Sequence, residues 1–154
     1  MSDIEQQLRE HPFARGFTEE QMARLRECVE GEMAVEEDEF IFRAGGRAER
    51  LYLVTDGEVA LEIHSPGRPP GIVQTVAGGE VLGWSWFFEP YRWAFDARAI
   101  TPTRVIAVDG RQMRECADAD RDLGFLLLKR MAQVLVDRLQ ATRLQLLDVY
   151  GSRT

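Results

Sequence analysis

Histidine and cysteine are scarce in this chain, with two of each among 154 residues. His11, His64, Cys28 and Cys116 lie far apart, and no four-ligand zinc or iron–sulfur set can be drawn from them at the usual spacings, so no metal and no cofactor is expected. The cysteines fall in helical-looking segments and read as reduced, packed thiols; His11 reads as a loop residue and His64 as a solvent-facing strand residue. A glycine-rich loop ending in Lys-Ser/Thr and a Gly-x-Gly-x-x-Gly fingerprint are both missing, which removes the two common phosphate cradles. Gly83-Trp84-Ser85-Trp86-Phe87 comes near a nucleophile elbow, but Phe87 stands where that strained turn needs glycine, and both histidines precede the serine. The scattered carboxylates offer no distinguishable acid/base pair, so no catalytic residue and no enzyme activity is expected.

Long apolar runs are absent too. The most apolar stretch, Phe125 to Leu128, is cut by Lys129 and Arg130, far short of the ~20 residues a membrane span needs. No basic, apolar, small-residue signal opens the chain, so a cytoplasmic location is expected. A basic surplus is also lacking: 19 Lys and Arg against 26 Asp and Glu leave a formal charge of -7, which argues against direct DNA binding by phosphate neutralisation. The densest acidic run, Glu36 to Glu39, reads as a solvated turn.

What is present is a globular composition, 45% hydrophobic and 29% charged, enough for one domain over residues 1–154. Residues 1–31 read as helices: Thr18 and Gln21 form a capping-box pattern ahead of Met22, Leu25 and Val29 on one face, with Gly31 as a stop. Over 32–109 the period becomes that of strands. Phe40 to Phe42 is a short strand, and Leu51 to Val54 meets Asp56-Gly57, a hairpin turn. Val59, Leu61 and Ile63 then alternate with Glu58, Glu62 and His64, which predicts a half-buried antiparallel hairpin with the apolar set inward. Ser65 to Gly71 is a loop, and Ile72 to Val76, Phe95 to Ile100 and Thr103 to Val108 are further strands.

Residues 110–150 read as C-terminal helices, with Asp118 or Asp120 as a cap for the long one. Leu128, Ala132, Leu135, Leu139, Thr142, Leu146 and Val149 recur at alternating four and three, and Gly151 follows as a stop. Leu127, Met131 and Val134 make a second stripe. One stripe packing on the strands leaves the other for a partner helix, so a homodimer is expected.

Phe42-Arg43-Ala44-Gly45-Gly46, Leu51 to Val59, Gly79-Glu80-Val81-Leu82-Gly83 and Arg98 to Val105 together resemble the cyclic-nucleotide-binding domain of the catabolite-activator and fumarate-nitrate-regulator family. The resemblance implies a mainly β fold with flanking α: a β-roll, a jelly-roll-like double-stranded barrel, with N-terminal helices and a long C-terminal helix. It implies a sensory or regulatory role as well. It also implies a glutamate after Gly83 for the ribose and an arginine some nine residues later for the cyclic phosphate. Trp84 stands in the first place, and an indole has no acceptor for a sugar diol. The second falls on Trp93 counted back without a gap from Arg98-Ala99, or on Arg92 with one extra residue; the sequence leaves both open.

The cassette is therefore altered, and cyclic AMP is not expected in the usual pose. Gly83, Trp84, Ser85, Trp86, Arg92, Trp93 and Ala94 are the candidate ligand-binding residues. Aromatic rings can stack a flat heterocycle while Arg92 takes an anionic group, and Ser85 or the first amides of a short helix can add donors. The alternative is a closed pocket, its rings packed inside the roll or beneath the final helix, serving dimerisation and docking to a protein partner. The family's helix-turn-helix would begin near Thr154.

Overall fold

The computed structural model describes residues 3–151, with side chains described to Ala141 and at Arg143. The chain opens with α1 (Asp3–Glu10), a single 3-10 turn (Pro12–Ala14) and α2 (Glu19–Cys28). The capping box forms as expected: the Gln21 amide donates to Thr18 Oγ1 at 3.1 Å and the Thr18 amide to Gln21 Oε1 at 2.9 Å. Met22 and Leu25 are buried on the inner face of α2.

Helix α2 stops earlier than the apolar periodicity suggests. Val29 is not its last core residue but the first of β1 (Val29–Val35), and Gly31 sits at a register shift in that strand instead of ending a helix. The backbone of Val29 gains a strand partner in Val108, which outweighs continuation of the helical face.

Six more strands follow: β2 (Phe40–Phe42), β3 (Arg50–Asp56), β4 (Glu58–Ile63), β5 (Gly71–Ala77), β6 (Asp96–Ala99) and β7 (Thr103–Asp109). They form two antiparallel sheets, ordered β1-β7-β3 and β2-β6-β4-β5. The acidic run from Glu36 to Glu39 is the exposed turn between β1 and β2.

The two sheets correct the expected hairpin. β3 and β4 do not pair; Asp56-Gly57 is the corner at which the chain leaves one sheet for the other. Gly57 has φ +99°, and a Cβ there would lie 2.6 Å from the Pro102 carbonyl oxygen, so glycine is required by backbone angle and by space.

The alternation along β4 also breaks down at its end. Val59 and Leu61 are buried, but Ile63 is 45% exposed while Glu62 is only 3% exposed. The β4–β5 register shifts between Leu61 and Glu62, and Glu62 is covered by Arg98, whose Nε and Nη2 donate to its two oxygens at 3.0 and 3.1 Å.

After β7 come α3 (Gly110–Ala119) and α4 (Arg121–Gly151). Asp109 caps α3 by accepting from the Gln112 amide at 3.0 Å, and Asp120 caps α4 by accepting from the Asp122 and Leu123 amides at 3.0 and 3.2 Å. Leu123, Leu127 and Met131 of α4 are fully buried and join a core with Leu8, Leu25, Leu53 and Ile106. Leu128 and Leu139 of the other stripe are exposed, and the side chains of Thr142, Leu146 and Val149 lie outside those described. The architecture is the expected β-roll with N-terminal helices and a long C-terminal helix.

His11 ties the N-terminal helices to the roll. It is buried, its Nδ1 accepts from the Phe13 amide at 3.1 Å, and Nε2, which must then carry the hydrogen, donates to the Val54 carbonyl oxygen of β3 at 3.0 Å. Burial, the dominant cause, pushes the imidazole below its ordinary range. Protons therefore bind the unfolded chain first, so stability falls as pH drops through about 6.5 and levels off once the folded imidazole titrates. Urea unfolding at about pH 7.5 and about pH 5.5 should give a larger loss for the native chain than for His11→Gln, since carboxylate contributions are common to both.

Candidate functional site

The segment from Gly79 to Phe95 is irregular backbone laid over β3. The Gly79 amide donates to Val54 O at 2.8 Å, the Val54 amide to Glu80 O at 3.0 Å and the Leu82 amide to Tyr52 O at 3.0 Å. These bonds deliver Gly83 to the interior with φ +83°, a conformation that favours glycine.

Trp93 occupies the space above Gly83. A Cβ at Gly83 would lie 2.9 Å from the edge of its indole. The indole is buried and stacks on Phe42 with ring centroids 3.8 Å apart and planes 7° from parallel, while Tyr52 flanks both rings. The backbone on either side is fixed by Trp93 N–H donating to Gly46 O at 2.9 Å and Gly45 N–H donating to Trp93 O at 2.8 Å.

The remaining candidate residues point several ways. Trp84 is half-buried and meets Phe95 edge-on at 5.7 Å; Arg138 of α4 lies over the Phe95 ring at 4.7 Å. Ser85 and Trp86 are buried in a turn closed by Phe87 N–H donating to Trp84 O, which is not the short helix anticipated. Trp86 Nε1 has no acceptor among the described residues. Ala94 is exposed. Arg92 turns outward, donates to Gly45 O at 3.0 Å and lines an outer cavity of about 460 Å3 with Arg47 and Arg114.

Sequence reasoning named Gly83, Trp84 and Trp93 as candidates but not Phe42, Tyr52, Phe95 or Arg138, which the structure places around them. The aromatic partners carry a strand-like signal and nothing more; Arg138 belongs to a helix whose spacing marks only its apolar residues.

β6 continues from this segment and carries an ionic network. Glu62 and Asp96 stand directly opposite each other on β4 and β6, and both are buried. Two like charges so placed need cations. Arg98 serves Glu62, while His64 Nε2 at 2.9 Å, Arg43 at 3.4 Å and the Ala44 amide at 2.7 Å serve Asp96.

The two cysteines are not isolated, contrary to their sequence separation. Both line a cavity between α2 and α3, and their side chains interact. Burial first, and Cys116 next, push the Cys28 thiol up to about 12, which keeps it protonated. Both are free thiols. Among the described residues no group of three or more His, Cys, Asp or Glu is arranged to hold a metal ion.

The close approach at Gly83 has a measurable cost if it is disturbed. Gly67 has a similar φ of +75° but open space around it. Urea unfolding should give a loss of about 1 kcal/mol for Gly67→Ala, the backbone penalty alone. Gly83→Ala should lose at least about 1 kcal/mol more, because the Trp93 ring must also shift.

Comparison with known proteins agrees with this fold. The cyclic nucleotide-binding domain family matches residues 32–120. A protein of Geobacter metallireducens GS-15 described as cyclic nucleotide-binding is 29% identical, with a TM-score of 0.78 over 90% of this chain and 99% of its own. The N-terminal domain of a transcriptional regulator from Streptomyces coelicolor A3(2) is 25% identical, with a TM-score of 0.66 over 88% of this chain and 94% of its own. The sensor domain of the regulator DNR from Pseudomonas aeruginosa, 17% identical over 89% of this chain and 91% of its own, shares the fold with a TM-score of 0.72. No curated protein matches. No described helix is long and apolar enough to cross a membrane. With more than half of its length matched and the roll, glycine turns and terminal helix in place, the chain belongs to the cyclic nucleotide-binding domain family, a family of regulatory binding domains.

Proposed function

We propose that this chain is a cytoplasmic, non-enzymatic regulatory module whose nucleotide cradle has been rebuilt with aromatic side chains, so that cyclic AMP does not bind in the family's usual pose. The observation that carries this reading is the Trp93 ring seated against Gly83. The resemblance makes Gly83 the point of ligand approach, and here that approach is filled. Trp84 adds to the case, since it supplies no acceptor for a ribose diol. A ligand of this module is smaller or differently shaped than a cyclic nucleotide and meets Gly83, Trp84, Ser85, Trp86 and Trp93 from the inner side, with Arg92 and Ala94 reached only from outside.

A second reading, a dimerising scaffold with a closed pocket and a protein partner, is favoured by the 3.8 Å stack of Phe42 on Trp93, which leaves no gap for a planar ligand between them. Both readings use α4. Phe125, Leu128, Val136 and Leu139 are 61%, 49%, 45% and 70% exposed and fall on one stripe of that helix. Such a stripe suits a second copy of the same helix.

Calorimetry and tryptophan fluorescence with cyclic AMP and cyclic GMP should both be silent, corresponding to affinity weaker than about 1 mM; micromolar binding overturns the rebuilt cradle. A response to other small molecules favours the first reading over the second. Sedimentation at micromolar concentration should give a dimer, and Leu128→Glu combined with Leu139→Glu should give a monomer of unchanged thermal midpoint at matched protomer dilution. A native monomer removes the dimer from either reading.

A further inference from the structure

The outer cavity beside Arg92 is distinct from the aromatic interior and is lined by five arginines: Arg47, Arg50, Arg92, Arg111 and Arg114. They come from three separate stretches of chain: the approach to β3, the end of the irregular segment, and α3. Arg47 and Arg92 stand opposite each other across an antiparallel bridge. Like charges in that relation repel, and a fold gains nothing from them unless an anion lies between or beside them.

The carboxylates nearby do not neutralise this cluster. Of the three acids in the cavity wall, Glu30 is paired with Arg50 at 2.5 Å and Asp109 is turned onto the Gln112 amide as the cap of α3; only Glu49 remains. Arg111 pairs with Glu115. Among the described residues Arg47, Arg92 and Arg114 have no carboxylate partner, in a chain where acids outnumber bases by 26 to 19. Arg114 is moreover held in place, donating to the Trp86 carbonyl oxygen at 2.5 Å with its guanidinium 4.0 Å from the centroid of the Tyr91 ring. Three guanidinium groups without a carboxylate partner, two of them braced on backbone carbonyls, Arg114 on Trp86 and Arg92 on Gly45, are what a preorganised anion site requires.

We propose that this cavity binds a small organic phosphate, its dianionic phosphate monoester taken by Arg47, Arg92 and Arg114. A phosphate offers three oxygens to three planar forks, where a carboxylate offers two. The volume of about 460 Å3 exceeds that of a bare ion and lies within the range of small-ligand pockets, so it also accommodates the organic part against Pro90 and Tyr91. This site does not depend on the state of the cradle: Arg92 faces it whether or not anything binds near Gly83.

Calorimetry with ribose 5-phosphate, inorganic phosphate, ribose and malonate tests the proposal. Ribose 5-phosphate should bind more tightly than inorganic phosphate, affinity should fall with added salt, and ribose should give no heat. Arg47→Gln and Arg92→Gln should each lower the affinity at least tenfold. Because Arg47→Gln removes repulsion, its thermal midpoint without ligand should equal or exceed that of the native chain, which separates lost binding from lost folding. The proposal is overturned if neither phosphate binds at millimolar concentration, if binding survives both substitutions, or if malonate binds as tightly as ribose 5-phosphate. Silence with cyclic nucleotides leaves these outcomes unaffected.

Discussion

The geometry of this protein turns on one close approach, an indole laid over a residue that has no side chain. Gly83 arrives at that place because three backbone hydrogen bonds clamp the preceding residues to β3. Trp93 arrives from the other direction, its backbone bonded to Gly45 and Gly46. Phe42 then closes over the ring. Two loops and two sheets are thereby joined at a single aromatic column, and the residues between Gly83 and Trp93 form turns rather than a regular helix. Their side chains must divide, some inward like Trp86, some outward like Arg92.

That division explains why neighbouring residues face such different chemistry. Trp93 lies in the apolar interior, whereas Arg92, one position earlier, joins four other arginines at the surface. In an extended backbone consecutive side chains point to opposite sides, so a single stretch of chain serves two environments without any helix or sheet of its own. The buried acids Glu62 and Asp96 follow a related logic on β4 and β6: each is tolerable inside because an arginine covers it, Arg98 at Glu62 and Arg43 at Asp96.

Local patterns were readable in the sequence where the physics is local. The Thr18 box, the Ser65 to Gly71 loop, a cap at Asp118 or Asp120 and the two stripes of α4 all depend on spacing within a few residues. What depended on distant partners was not readable. Asp56-Gly57 has the composition of a hairpin turn, and only the sheet pairing of β3 with β7 makes it a corner. Glu62 looks solvent-facing until Arg98, 36 residues away, reaches across to it. Val29 fits the helical stripe, yet Val108 claims its backbone. At the candidate site, glycines and aromatics were evident from their density, whereas Arg47 and Arg114 carried no signal tying them to Arg92, since the cavity they share exists only in three dimensions.

Arg138 sits two turns beyond Met131, the last fully buried side chain of α4 among the described residues, and rests on Phe95, whose edge meets Trp84. The helix is therefore pinned twice, once by its apolar turns and once by a cation riding on a ring. The second contact joins the irregular segment to α4 beyond its buried turns. Trp84, Phe95 and Arg138 thus form one continuous run of contacts from the irregular segment to α4. Three side chains in series therefore connect the interior of the roll to the part of α4 that lies past its buried turns.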